Sequence, residues 1–128
     1  MKIALVSSAA ISTPPPRYGG LERVVYTYAQ GLSEQGHKVS LIAAKGSKAP
    51  DGVELIETVK PWSSLNPQEQ QSYTQSDGIE REALGLKWRA HTWNGWRAQE
   101  EAAFGTYRER LDTFDAVGDH SWSKWSLG

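Results

Sequence analysis

The sequence predicts an α/β fold in which helices flank a parallel β-sheet, and three observations lead to this prediction. An apolar run at residues 3–6 is followed by a loop and an amphipathic helix pattern, and a second apolar run covers residues 38–44. Short continuous apolar runs are typical of parallel strands buried on both faces. The 128 residues, 38% hydrophobic and 23% charged, suit one domain with one core. This order of elements predicts a Rossmann-like sheet.

The first helix is predicted by apolar residues that recur with helical spacing after the loop. Its expected buried face consists of Leu21, Val24, Val25, Tyr28 and Leu32. Its expected polar side carries Glu22, Arg23, Gln30 and Glu34. Gly36 predicts the end of the helix, because glycine adopts the left-handed conformation that commonly follows a last turn.

The remainder of the chain is predicted to add two strands and a second helix. Residues 53–59 predict a third strand, preceded by an Asp51-Gly52 turn. Residues 61–77 are rich in Gln, Ser, Asn and Pro and predict a long surface loop with one short helical piece. A second helix is predicted from one apolar face, Trp93, Trp96, Phe104, Tyr107 and Leu111. The stretch "DAVGDHSW" predicts a fourth strand that brings Asp119 and His120 to the carboxyl edge of the sheet.

Charge and composition exclude several function classes. A formal net charge of -1 gives no long-range attraction to nucleic acid, so no nucleic-acid partner is expected. With no cysteine there is no disulfide framework, which fits a cytoplasmic location. The N-terminal apolar core is too short for an export signal or a bilayer span, so we expect no integral membrane segment. The three histidines lack the spacing of metal ligands, and no metal site is expected.

The segment "PPPRYGGLE" places Gly19 and Gly20 where the first helix would begin. Glycines let a ligand approach the backbone closely, and a helix N-terminus favours a phosphate or a carboxylate. A tight turn whose helix end is satisfied by Glu22 explains the same pattern equally well. The dinucleotide fingerprint G-x-G-x-x-G and the loop G-x-x-x-x-G-K-[ST] are both absent, which disfavours dehydrogenases and phosphate-loop ATPases.

Two segments resemble the N-terminal, acceptor-side domain of family 4 (group 1) glycosyltransferases, which have the GT-B fold. The first contains the P-x-x-G-G-x-E loop, the helix and the G-H-x-V turn, in the order and spacing of that family. The second, "FDAVGDHSW", resembles the family's later strand with a histidine near its end. Together they cover about the first forty-five and the last fifteen residues.

The resemblance implies transfer of a sugar from a nucleotide-diphosphate donor to an acceptor, with retention of configuration and no bound metal or cofactor. Gly19 and Gly20 would lie beside the donor diphosphate and the acceptor, with Arg17 and Glu22 as neighbours. His120 would lie beside the transferred sugar, assisted by Asp119. The family's C-terminal domain, which binds the nucleotide sugar, is absent from residues 1–128. We therefore expect an incomplete GT-B half that is inactive alone and needs a further domain, a partner chain or self-association.

Other candidate residues have simpler interpretations. His37 follows Gly36 and is expected to cap the first helix rather than to contact substrate. His91 lies among Trp88, Trp93 and Trp96, where core packing is favoured over an acceptor platform. Exposed Trp122 and Trp125 beside Lys124 would support sugar stacking.

Two further functional interpretations stay open. One is a noncatalytic Rossmann-like interaction module, which an exposed apolar face along Trp93, Trp96 and Tyr107 would favour. The other is an unrelated nucleotide-binding enzyme, which would bind adenine nucleotides without any dependence on a sugar.

Overall fold

A four-stranded sheet in which every strand pair is parallel forms the centre of the described structure, a computed structural model that describes residues 1–15, 19–74 and 95–121. Its strands are β1 (Lys2–Val6), β2 (Lys38–Ala43), β3 (Val53–Glu57) and β4 (Ala116–Asp119). Their order across the sheet is β3-β2-β1-β4. The predicted α/β class with a Rossmann-like parallel sheet and flanking helices is confirmed.

The two faces of the sheet pack against different parts of the chain. Helix α1 (Gly20–Glu34) covers one face, and its core cluster consists of Leu5, Val25, Ala29, Val39, Leu41 and Ala43. Helix α2 is described over 67–74. Helix α3 (Trp96–Tyr107) and the 3₁₀ segment Arg108–Thr113 cover the other face, where the core cluster consists of Ala4, Val6, Ile42, Ile56 and Tyr107. Successive side chains of β1 and β2 point to opposite faces of the sheet, and both faces are buried, so every position in these strands favours an apolar residue.

Helix α1 ends as Gly36 predicted. Gly36 has φ 93°, and its N–H donates to the Ser33 carbonyl at 3.0 Å. The His37 N–H donates to the Leu32 carbonyl at 3.2 Å. These two bonds form a Schellman motif, which satisfies carbonyls left without helical partners. His37 therefore caps the helix through its backbone.

The buried face of α1 differs from the predicted one. Val24 and Tyr28 are 60% and 51% exposed, whereas Glu22, expected on the polar side, is only 5% exposed. Ala29 is fully buried and contributes to the core in their place. The helix is thus rotated relative to its most apolar stripe, because the loop after β1 supplies a hydrogen-bond partner that allows Glu22 to be buried.

The stretch predicted as a long loop contains more regular structure than expected within its described part. A 3₁₀ turn, Trp62–Ser64, precedes helix α2, described over 67–74. Asn66 caps α2: the Glu69 N–H donates to the Asn66 side-chain oxygen at 2.8 Å, and the Asn66 N–H donates to the Glu69 carboxylate at 3.0 Å. This reciprocal pair is a capping box, formed here by asparagine and glutamate. The Asn66 N–H and the hydrogen bond from Lys60 lower the pKa of Glu69.

Helix α3 begins after Gly95, a position with no room for a side chain. Gly95 has φ 85°, and a Cβ there would lie 2.7 Å from the Thr74 backbone nitrogen. At the other end, the Phe104 and Tyr107 rings pack edge to face with centroids 5.4 Å apart. Phe104, Tyr107 and Leu111 all join the core, as predicted. Trp93 and the side chain of Trp96, predicted on the same face, lie outside the described structure.

Candidate functional site

The strand order changes direction between β1 and β4. The chain moves outward from β1 to β2 and β3, whereas β4 lies on the opposite side of β1. Val6 pairs with Ile42 of β2 on one side and with Asp119 of β4 on the other. In open α/β sheets, ligands bind outside the carboxyl ends of the strands at such a switch point. The loop after β1 and the residues after β4 therefore form the candidate site.

Buried hydroxyl groups hold the beginning of the loop after β1. The Ser7 and Thr13 hydroxyl oxygens are 2.8 Å apart, and both residues are buried. The Thr13 N–H donates to the Ser47 hydroxyl at 2.9 Å, while the Lys48 N–H donates to the Thr13 carbonyl at 2.7 Å. These bonds fasten the loop to the residues after β2, so its path is fixed over the sheet edge.

Glu22 is the second anchor of this loop. The Ser8 hydroxyl donates a hydrogen bond to the Glu22 carboxylate, and both side chains are buried. The Ala10 N–H approaches the Ser8 hydroxyl oxygen at 3.4 Å. A buried carboxylate requires hydrogen bonds to offset its lost hydration. The carboxylate thus joins the first turn of α1 to the loop.

Gln99 of α3 is a third anchor, which the sequence analysis missed. Its side-chain amide donates to the Ala9 carbonyl at 2.9 Å and to the Lys60 carbonyl at 3.0 Å. The same Ala9 carbonyl accepts the Trp62 N–H at 3.0 Å. Gln99 therefore connects the loop after β1 to the chain after β3. A glutamine inside a helix gives no signal in the sequence that it is buried.

The two glycines that open α1 have different surroundings. A Cβ on Gly19 would lie 2.5 Å from the Ile11 side chain and 2.7 Å from the Pro15 ring, so this position needs glycine for packing. A Cβ on Gly20 would meet no atom of the described residues within 4 Å. The first helical bond is donated by the Arg23 N–H to the Gly19 carbonyl at 3.1 Å, and α1 has no side-chain cap from the described residues. Among the described residues, Gly20 thus has no side chain packed against its Cβ position at the N-terminus of α1.

Asp119 and His120 point toward opposite faces of the sheet. One oxygen of the Asp119 carboxylate accepts the Ser121 N–H at 2.9 Å and the Ser121 hydroxyl at 2.6 Å, and the residue is buried. His120 lies on the α1 face, where its ring packs edge to face against Tyr28 with centroids 6.4 Å apart. The His120 N–H donates to the Val6 carbonyl at 2.8 Å, which fixes its backbone beside β1. Because side chains alternate along a strand, the two are separated by the sheet.

On the face of the sheet that holds Asp119, the surroundings of Tyr107 raise the pKa of its hydroxyl. Burial raises the pKa of the Tyr107 hydroxyl strongly, and the nearby charges of Asp119 and Glu100 raise it further. Tyr107 is only 3% exposed. It is therefore a neutral core residue, not part of the exposed apolar face that was considered with Trp93 and Trp96.

The structure places two of the predicted site residues on one side of the sheet, without a described contact between them. Gly20 and His120 lie on the α1 side of the carboxyl edge, and Tyr28, which sequence reasoning had assigned to the core, extends the site. An open groove of about 680 Å³ runs along the exposed side of α1 and includes Gly20, Arg23, Val24 and Tyr28. Arg17, His91, Trp122 and Trp125 lie outside the described residues, so their predicted roles have no structural description.

Searches of protein-family models and of curated proteins find no match to this sequence. Within the described residues, no helix is both long enough and apolar enough to cross a membrane. The same part of the chain contains no group of three acidic or histidine side chains arranged to hold a metal ion.

Proposed function

We propose that this chain is the acceptor-side part of a retaining glycosyltransferase that uses a nucleotide-diphosphate sugar. One observation carries the proposal. The N-terminus of α1 at Gly20 and the ring of His120 lie on the same side of the sheet, at its switch point. These are the positions that the resemblance to family 4 enzymes assigns to the diphosphate and to the transferred sugar.

The proposed role of the α1 N-terminus is to bind oxygen atoms of the donor diphosphate. The N–H groups of a first helical turn have no helical acceptors, and the helix dipole favours negative charge there. Gly20 allows a ligand to approach without a side chain in the way. In the transfer, the acceptor oxygen forms a bond to the sugar carbon as the bond between that carbon and the diphosphate oxygen breaks, and the proton of the acceptor hydroxyl then passes to a diphosphate oxygen. The leaving diphosphate gains negative charge, which these N–H groups stabilise.

His120 is proposed to contact the transferred sugar, with Tyr28 holding its ring. The edge-to-face contact with Tyr28 limits the orientations of the imidazole. Glu22 and Asp119 are proposed to position the site rather than to touch substrate. The carboxylate of Glu22 is bonded to Ser8, and that of Asp119 is bonded to Ser121. Their contribution is to hold the loop and the strand end in place.

The test is a titration of the full chain, labelled with ¹⁵N, with a panel of nucleotide-diphosphate sugars, followed by NMR. The expected result is saturable shift changes at the amides of Gly20, Leu21 and His120. Gly20→Ala places a methyl group where the diphosphate would lie and should weaken binding about tenfold or more, because hydrogen bonds to charged groups are lost.

Gly105→Ala is the matched control, since Gly105 is also helical and also has open space at its Cβ. It should leave binding unchanged. Because the resemblance assigns most nucleotide contacts to a domain outside residues 1–128, binding in about the millimolar range is expected. An absence of shift changes at Gly20 and Leu21 in that range, or equal binding by Gly20→Ala and the unchanged chain, would contradict the proposal. Binding of adenine nucleotides irrespective of a sugar would instead favour the unrelated nucleotide-binding enzyme.

A noncatalytic interaction module is the second candidate, favoured by the exposure of Val24 and Tyr28 along the groove on α1. Apolar side chains exposed together are typical of surfaces that contact another protein. Light scattering over a range of concentrations separates the two candidates. Self-association that Val24→Ser abolishes, together with no binding of sugar nucleotides, would favour the module.

A further inference from the structure

A second pocket lies at the opposite end of the sheet from the candidate site. It has a volume of about 350 Å³ and opens at the amino ends of β1, β2 and β3, beneath the 3₁₀ segment Arg108–Thr113. The volumes of ligand pockets in proteins commonly range upward from about 300 Å³. Its charged and hydroxyl side chains are Lys2, Lys38, Ser40, Glu54, Arg110 and Thr113. Three cationic groups therefore face a single carboxylate in this pocket.

The carboxylate of the pocket is already bonded within the protein. The Arg110 guanidinium lies 3.1 Å from one oxygen of Glu54, and the Ser40 hydroxyl donates to that same oxygen at 2.8 Å. Arg110 is thereby held over the pocket. Arg110 largely neutralises the charge of Glu54. Glu54 therefore offsets little of the positive charge of Lys2 and Lys38.

The two lysines lie side by side. Lys2 of β1 and Lys38 of β2 are direct partners in the parallel register and belong to the same face of the sheet. Like charges opposite each other on neighbouring strands repel. The nearby carboxylate of Asp115 accepts the backbone N–H of Lys2 at 2.8 Å, and neither lysine ammonium has an ion pair with a described carboxylate. An anion between the two ammonium groups would remove this repulsion.

We propose that this pocket binds a phosphate dianion, as free phosphate or as the phosphate group of a small monoester. Lys2 and Lys38 contact the phosphate oxygens, and the ion pair of Arg110 with Glu54 lies at the rim with little net charge. The volume accommodates a phosphate with a small substituent. Because the site is partly exposed, its affinity falls with ionic strength. The proposal is independent of the glycosyltransferase proposal, since the two sites lie at opposite ends of the sheet.

The experiment is an NMR titration of the full ¹⁵N-labelled chain with potassium phosphate, compared with potassium chloride at equal ionic strength. Phosphate should produce saturable shift changes at the amides of Lys2, Lys38 and Arg110, and chloride should not. Lys38→Gln should weaken phosphate binding about tenfold, because one charged hydrogen bond is lost. Lys2→Gln should have a similar effect, so the test still holds if one of the two variants fails to fold.

Lys45→Gln is the matched control, because Lys45 is exposed and follows the other end of β2. It should leave phosphate binding unchanged. A parallel titration with glycerol 3-phosphate identifies the source: equal or tighter binding indicates a phosphate monoester, and weaker binding indicates free phosphate. Shift changes that do not saturate, that chloride reproduces, or that Lys45→Gln reduces as much as Lys38→Gln would overturn the proposal.

Discussion

Replacement of Glu22 by alanine tests the anchor between α1 and the loop after β1. Glu22 is 5% exposed, and its carboxylate accepts the hydroxyl of Ser8, which is 0% exposed. A hydrogen bond to a charged group contributes about 1.5–3 kcal/mol, and a buried donor left without a partner adds to the loss. We therefore expect Glu22→Ala to lower the free energy of unfolding by about 2–3 kcal/mol. For a domain of this size that corresponds to a Tm lower by roughly 6–15 °C.

The assay is urea unfolding followed by circular dichroism, with Glu34→Ala as the matched control. Glu34 lies on the same helix and is exposed, so its replacement should change the free energy of unfolding by about 0.5 kcal/mol or less. The helix propensity gained from alanine is nearly the same in both variants and cancels in the comparison.

A double-mutant cycle with Ser8→Ala isolates the hydrogen bond itself. Because the two side chains share one bond, the double variant should lose about 1–2 kcal/mol less than the two single variants together. If Glu22→Ala cost no more than Glu34→Ala, or if the two changes were additive, the proposed anchor would not exist.

Two further predictions concern a glycine and a tyrosine. Gly19→Ala should lower the free energy of unfolding by about 1–3 kcal/mol, because its Cβ would overlap the Pro15 ring, and urea unfolding beside Gly105→Ala would measure the difference. A cost equal to that of Gly105→Ala would show that the packing at Gly19 is not restrictive. The pKa of Tyr107 is raised in the folded chain, so above pH about 10 the unfolded chain loses this proton first. The free energy of unfolding should then fall by up to about 1.4 kcal/mol per pH unit. Tyr107→Phe should reduce that slope in unfolding curves recorded between about pH 9 and 11.5. An unchanged slope would show that burial does not raise the pKa of Tyr107.

The regular elements could be predicted because their signals are local. The end of α1 depends on Gly36, whose left-handed conformation carries little steric cost in glycine. The apolar run in β1 predicts burial on both faces, and both faces are indeed covered. The cap of α2 was also visible in the sequence as Asn66 followed by Glu69, although the surrounding polar composition favoured a loop.

The orientation of α1 could not be predicted from its own sequence. The most apolar stripe would bury Val24 and Tyr28, yet both are exposed. The alternative orientation buries a carboxylate, which is favourable only because Ser8 lies opposite it. Helical periodicity places Glu22 on the polar side, because its hydrogen-bond partner Ser8 lies fourteen positions earlier in the chain and outside the helix. The same rotation brings Tyr28 against His120, a contact that no motif indicated.

The sequence by itself determined the sheet, the position of its first loop and the helix start at Gly19 and Gly20, since these depend on short-range backbone preferences and on burial. The tertiary structure decided which side chains meet. It separates Asp119 from His120 across the sheet, directs Glu22 inward to Ser8, and brings Gln99 to the carbonyl of Ala9. These contacts depend on the relative placement of elements far apart in the chain, and a buried polar group is stable only where that placement supplies its partner.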